Sequence, residues 1–324
     1  MKNSTMPDFD TIEYANQITC IDTHYQRPEL AACYLLESEG EAVFIDTGTT
    51  HSVPNLMHIL SVKGIQASQV KYVIPTHVHL DHAGGAGELM RQLPNASLVI
   101  HPYGAKHMID PSKLIAGATA VYGEEQFERQ FGKLIPIAEE RVIEAPDGMR
   151  VSFGNRELLI LDTPGHARHH FCIYDAMSQG IFTGDTFGLS YREFDTEHGQ
   201  FIIPTTTPVQ FDPEAWQSTL ARLITLSPER IYLTHYGEIN KPKEMAEKLS
   251  RYIDEFVAIA KASSAAPGEE RISDIRNNLR DWLMVKLQAH GCSHPPEIIE
   301  QLMSMDLLLD AQGLDVWLTR LAQT

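Results

Sequence analysis

The sequence predicts an α/β fold, a four-layer αββα sandwich of two mixed sheets with helices outside, followed by a C-terminal helical appendage. Three observations carry this. Strand-like and helix-like stretches alternate as far as Asn240, the pattern of layered α/β domains. In both halves of that region, strands end on a histidine or aspartate that opens a turn. Beyond Asn240 only helical periodicity remains. The expected division is one domain over residues 1–240 and a helical one over 241–324.

Taken in order, the apolar runs Ala32–Leu36 and Ala42–Ile45 flank a Ser-Glu-Gly-Glu turn and predict a hairpin. Leu56, Ile59 and Leu60 fall at helical spacing, and Gly64 stops that helix. "VKYVIP" is a short buried strand ending at Pro75, "GELMRQLP" a helix and "SLVIH" a strand. From Pro102 to Pro136 the pattern is helical and less apolar. This insertion is long enough to wall a pocket, or it is plain packing. Strands return in "MRVSFG", "RELLILDTPGH", "HFCIYD" and "GIFTGD". "DPEAWQSTLARLITLSP" is a helix with Asp212 as its N-cap. "RIYLTH" reads as the last strand. Met245, Leu249, Tyr252, Ile253, Phe256 and Ala260 then trace one helix face. Ile272, Ile275, Leu279, Trp282 and Leu283 trace another, and two more short helices are expected over Glu297–Met303 and in "LDVWLTRLAQ".

The chain has 324 residues, is 43% hydrophobic, and carries a formal charge of −17 from 26 basic and 43 acidic side chains. That balance argues against a nucleic-acid partner, which needs clustered Lys and Arg. The opening "MKNSTMPDFD" lacks an apolar core, so no signal peptide is expected. No run approaches the length of a membrane span. The four cysteines are far apart in sequence and read as reduced, structural thiols of a cytoplasmic protein. The apolar C-terminal helices need a surface to bury, either the sandwich or a second copy in a homodimer.

"PTHVHLDHAGG", from Pro75 to Gly85, puts three histidines and an aspartate into six residues. In an extended segment residues i and i+2 face the same way, so His77 and His79 can grip one ion. A turn after Leu80 brings Asp81 and His82 to a neighbouring point. Gly84 and Gly85 let the backbone pass close by. Three later positions lie just beyond strand ends: His166 in "DTPGH", Asp185 in "TGDT" and His235 in "LTHYG". Five imidazoles and two carboxylates, with no thiolate, suit Zn²⁺, Fe or Mn²⁺. A lone histidine is ordinarily a surface or hydrogen-bonded residue, and the histidines outside this pattern are read that way.

His77-x-His79-x-Asp81-His82, with "TPGH", "TGDT" and "LTHYG" following in that order, resembles the metallo-β-lactamase fold superfamily from about Cys20 to Gly237. The closest branch includes hydroxyacylglutathione hydrolase (glyoxalase II). The resemblance implies a catalytic domain holding two divalent ions, Zn²⁺ first and Fe or Mn as alternatives. His77, His79 and His166 would take the first ion, Asp81, His82 and His235 the second, and Asp185 would bridge them. It further implies a hydrolase in which a metal-bridging hydroxide attacks an ester, thioester or lactone carbonyl of a small-molecule substrate, with Asp81 as the catalytic carboxylate. Asp46 matches a position supporting the ligand loop, or is simply a turn-forming residue. His170 would be a supporting histidine, with His169 standing where the family often has Gly. Tyr191 would line the substrate pocket or pack its loop. An acyl-homoserine lactonase would carry Tyr where this chain has Gly188. The alternatives are an iron-dependent oxidoreductase of the same fold, or a metal-bearing regulator acting through its C-terminal helices.

Overall fold

The computed structural model describes residues 10–206 and 209–323. They form two compact units. The first contains the described residues up to Ile160 together with Asp175–Ser178, and the second contains Leu161–Tyr174 and the described residues from Gln179 on.

In the first unit, β1 (Thr11–Tyr14), β2 (Ile18–Asp22), β3 (Ala32–Ser38), β4 (Glu41–Ile45), β5 (Val70–Ile74), β6 (Ser97–Ile100) and β7 (Val142–Glu144) form one sheet in sequence order. The first four strands run antiparallel through short connections. From β4 to β7 the pairing is parallel, and each parallel step needs a crossover. Helix α1 (Val53–Val62) makes the first, and α2 (Leu80–Ala83) with α3 (Ala86–Gln92) the second. The third uses α4 (Pro102–Ile109), α5 (Ser112–Tyr122) and α6 (Glu124–Phe131), which are the helices expected between Pro102 and Pro136.

The core of this unit is built from Cys33, Leu35 and Phe44 of the sheet against Leu56, Ile59 and Leu60 of α1 and Leu89 of α3. The spacing that predicted α1 is thus its buried face. A smaller cluster joins Leu80 of the histidine-rich loop to Phe127, Phe131 and Leu134. β8 (Arg150–Phe153) pairs antiparallel with β9 (Arg156–Asp162) and opens the second sheet.

In the second unit, β10 (Phe171–Asp175, all but its last residue) and β11 (Gly180–Phe182) are followed by α7 (Pro213–Thr225). Asp212 caps α7, its carboxylate accepting from the Ala215 N–H at 3.1 Å. β12 (Arg230–Leu233) runs parallel to β11 and antiparallel to β13 (Gly237–Ile239). "RIYLTH" is therefore not the last strand: a three-residue return strand follows, too short to show a period of its own. β1, β2 and β7 were also not expected from pattern. β2 is buried throughout, so it shows no alternation, and β1 is almost wholly exposed.

Three long helices complete this unit: α8 (Pro242–Ala262), α9 (Glu269–Ala289) and α10 (Pro296–Leu321). α8 packs on α7, and α9 packs on α10. Tyr252 and Phe256 of α8 each meet Trp282 of α9 edge-to-face, with centroids 4.9 Å apart. The two short helices expected after Glu297 are one continuous helix. Gly313 is buried within it. Among the described residues no helix is long and apolar enough to cross a membrane.

All four cysteines are free, and Cys20, Cys33 and Cys172 are buried. Burial pushes the Cys172 thiol up to about 12 and raises Cys33 well above the usual thiol range. Neither is a thiolate at neutral pH, which fits a structural role.

Candidate metal centre

In the first unit the donors sit at the C-terminal end of β5. Pro75 ends the strand and the chain turns through His77 into α2. His77 Nε2 and His79 Nδ1 are 2.8 Å apart, so the i, i+2 pair points two ring nitrogens at one spot. The His77 ring also lies 4.1 Å from that of His82, centroid to centroid. His77 and His82 are fully buried. Asp81 is about a quarter exposed, with Oδ2 3.7 Å from His82 Nε2.

Asp46 holds this loop in place. It follows β4 in a left-handed conformation with φ +56°. Its Oδ1 accepts from the Thr76 N–H at 2.7 Å, and its Oδ2 pairs with His82 Nδ1 at 3.0 Å. Asp46 therefore turns the chain and also orients the His82 ring. His77 Nδ1 pairs with Thr76 Oγ1 at 3.1 Å. Thr76 was not singled out from sequence, because a threonine beside a strand end carries no distinctive signal. Gly85 lets the loop close: a Cβ there would stand 2.6 Å from the Thr49 carbonyl oxygen and 3.0 Å from that of Thr47.

In the second unit His166, Asp185 and His235 lie together. Asp185 Oδ2 is 3.3 Å from His166 Nε2, and its Oδ1 is 3.5 Å from His235 Nε2. One carboxylate thus offers one oxygen to each of two imidazoles. His166 Nδ1 lies 3.0 Å from the Thr205 carbonyl oxygen. A donated N–H there fixes the tautomer that leaves the lone pair on Nε2. His170 is buried and accepts the Asp185 N–H at 3.3 Å through Nε2. Its Nδ1 pairs with Thr163 Oγ1 at 2.9 Å and Thr186 Oγ1 at 3.0 Å. His170 therefore steadies the backbone of Asp185. Tyr191 is 2% exposed. It donates its hydroxyl to Asp306 at 3.1 Å and sets its ring edge-to-face with His235.

Gly165, just before His166, has φ +137°, and a Cβ there would lie 2.4 Å from Trp216 Cβ. Gly165→Ala is expected to destabilise the protein by about 2 kcal/mol or more and to displace His166. Urea unfolding and metal content, measured on the same preparation, check both effects.

His77 with His79, and His166 with Asp185, are each grouped closely enough to present ligand atoms to an ion. The donors are nitrogen and oxygen only. Several have their second polar atom engaged by the protein, as metal-binding histidines usually do. The residues fit a borderline-hard divalent cation.

The chain belongs to the metallo-beta-lactamase superfamily, whose family model matches residues 27–235. The sandwich expected from the sequence is that family's fold. Among curated proteins, the metallo-beta-lactamase fold-containing protein ST1585 of Sulfurisphaera tokodaii is 28% identical over 258 residues, 78% of this chain and 90% of the relative. A hydroxyacylglutathione hydrolase of Methylobacillus flagellatus is 28% identical over 206 residues, 60% of this chain and 66% of the relative. Among solved structures, a metallo-beta-lactamase family protein of Thermus thermophilus, TTHA1429, superposes with a TM-score of 0.62 at 19% identity. That match covers 98% of this chain and 95% of the other, a likeness of fold that takes in the C-terminal helices.

Proposed function

We propose that this protein is a dinuclear metal-dependent hydrolase acting on an ester, thioester or lactone carbonyl, with thioesters the first class to test. The observation that carries this reading is Asp185, whose two carboxylate oxygens each face a different imidazole Nε2. A carboxylate so placed suits a bridge between two cations. His77, His79 and His166 would hold one ion, and Asp81, His82 and His235 the other. Membership of the superfamily supports joining the two groups of donors in one centre. Two relatives favour thioesters: an acyl-coenzyme A thioesterase, MBLAC2, of Bos taurus, 24% identical over 179 residues, and an atrochrysone carboxyl ACP thioesterase of Aspergillus fumigatus, 27% identical over 222.

Bound divalent ions supply a water deprotonated at neutral pH and an electrophile for the carbonyl oxygen. The chain's own residues do the rest. Asp81, the more exposed of the two ligand carboxylates, orients the attacking water and takes a proton on its carboxylate. Asp46 and Thr76 hold His82 and His77 at fixed angles, and His170 holds the backbone of Asp185.

Protein stripped with a chelator is expected to lose hydrolysis of an acyl-thioester, and to regain it when Zn²⁺, Mn²⁺ or Fe²⁺ is added back. Thioesters, lactones, aryl esters and bis-aryl phosphates assayed side by side identify the substrate class. Undiminished turnover in verified metal-free protein would sink the proposal.

A further inference from the structure

Helix α10 reaches two of the second unit's three donors through short chains of contacts. Asp310 is 1% exposed. Its Oδ1 accepts from the Thr206 N–H at 2.6 Å, and its backbone carbonyl accepts from Thr206 Oγ1 at 3.1 Å. The residue before Thr206 is Thr205, whose carbonyl oxygen faces His166 Nδ1 at 3.0 Å. One helical turn earlier on α10, Asp306 accepts the hydroxyl of Tyr191 at 3.1 Å. The Tyr191 ring lies 6.5 Å from that of His235 at an interplanar angle of 87°. The adjacent Ser190 N–H donates to the carbonyl oxygen of His235 at 2.5 Å.

We propose that Asp310 and Asp306 are positioning residues for the metal centre: Asp310 sets His166 through the Thr205–Thr206 segment, and Asp306 sets His235 through Tyr191. The inference rests on the reading of His166 and His235 as metal ligands. It gives the C-terminal helices a task in the proposed reaction beyond covering apolar surface.

The Asp310 carboxyl is held there at a cost in solvation. Burial, then the Asp306 and Asp185 charges, hold its carboxyl well above the usual carboxylate range against the pull of the Thr206 bonds. Its Oδ2 has no hydrogen-bond partner among the described residues. A buried carboxyl with one oxygen unpaired is costly, and an apolar residue in its place would leave the buried Thr206 N–H without an acceptor. What the carboxyl contributes is a directional acceptor for the Thr206 N–H. An acceptor one residue removed from a carbonyl that orients a ligand acts on metal affinity, where such outer partners change binding by about 10–100-fold.

The test compares full-length Asp310→Ala, Asp310→Asn, Tyr191→Phe and His166→Ala by Zn²⁺ affinity against a competing chelator and by the visible spectrum of the Co²⁺ form. Asp310→Ala is expected to lose about 10–100-fold in affinity for one ion and to alter the Co²⁺ spectrum. Asp310→Asn keeps an acceptor oxygen and is expected to restore both. Tyr191→Phe, nearly isosteric, is expected to weaken the other ion and serves if the Asp310→Ala protein does not fold. Wild-type affinity and spectrum in Asp310→Ala and Tyr191→Phe, with metal lost in His166→Ala, would overturn this inference alone. Full metal retention in His166→Ala would overturn the ligand reading and this inference with it.

Discussion

Asp185→Asn is expected to lower bound metal from about two ions to one or fewer per chain and to cut thioester turnover by about 10³-fold or more. The loss follows from the direction of the two oxygens. Oδ2 faces His166 Nε2 at 3.3 Å and Oδ1 faces His235 Nε2 at 3.5 Å. An amide keeps the shape and removes the charge. It also turns one of the two acceptors into an NH₂ donor, which cannot ligate a cation. His170, accepting the backbone N–H of residue 185, is untouched by the change, so the loop keeps its fold and the effect is chemical. A 10³-fold loss corresponds to about 4 kcal/mol of transition-state stabilisation. Elemental analysis and steady-state kinetics on the same sample read both quantities. His198→Ala, on an exposed histidine, is expected to leave both unchanged. Asp185→Asn protein with full metal and normal turnover would remove the bridging carboxylate from the mechanism.

Asp175→Ala is expected to cost about 3–5 kcal/mol of folding stability. The Asp175 carboxylate meets the Arg156 guanidinium side-on, with Nε 3.0 Å from Oδ1 and Nη2 2.6 Å from Oδ2. Both side chains are fully buried. Arg156 Nη1 also donates to the Asn16 carbonyl oxygen at 2.8 Å, and Asp175 accepts from the Ser178 N–H at 3.0 Å. Removing the carboxylate leaves a guanidinium charged and dry. Replacing both partners with apolar residues of similar size is expected to recover most of the loss, because the pair's own desolvation cost disappears with it. Urea midpoints at unchanged m-value measure the difference. A single variant as stable as the parent would show that water reaches Arg156.

Much of the donor cluster was legible in sequence because it is local. Four donors lie within six residues, and the i, i+2 rule placed His77 beside His79 without any knowledge of the fold. His166, Asp185 and His235 were legible because each follows an apolar strand directly. Asp46 was seen, but its two roles were not separable, since turn-forming and ligand-supporting aspartates look alike in sequence. Thr76, Thr205 and Asp310 were not legible. Thr205 acts through its backbone carbonyl, which every residue has, Thr76 is a threonine beside a strand end, and Asp310 lies over a hundred residues along the chain from the loop it touches. Its signal was present as an aspartate inside "DLLLDAQGLDVWL", an otherwise apolar helix stretch, and the expected helix break there hid it. The return strand β13 was missed because three residues cannot display a period.

The seven-stranded sheet has strand order β1-β2-β3-β4-β5-β6-β7, so each strand after β1 finds one partner already made when it leaves the ribosome. No strand waits for a partner beyond the next one in sequence. The sheet can zip up in the direction of synthesis, with each loop closure spanning only the segment just translated. An apolar strand edge is then exposed no longer than the time taken to add one crossover. A protein of this length thereby limits the interval in which an unpaired edge could recruit another chain.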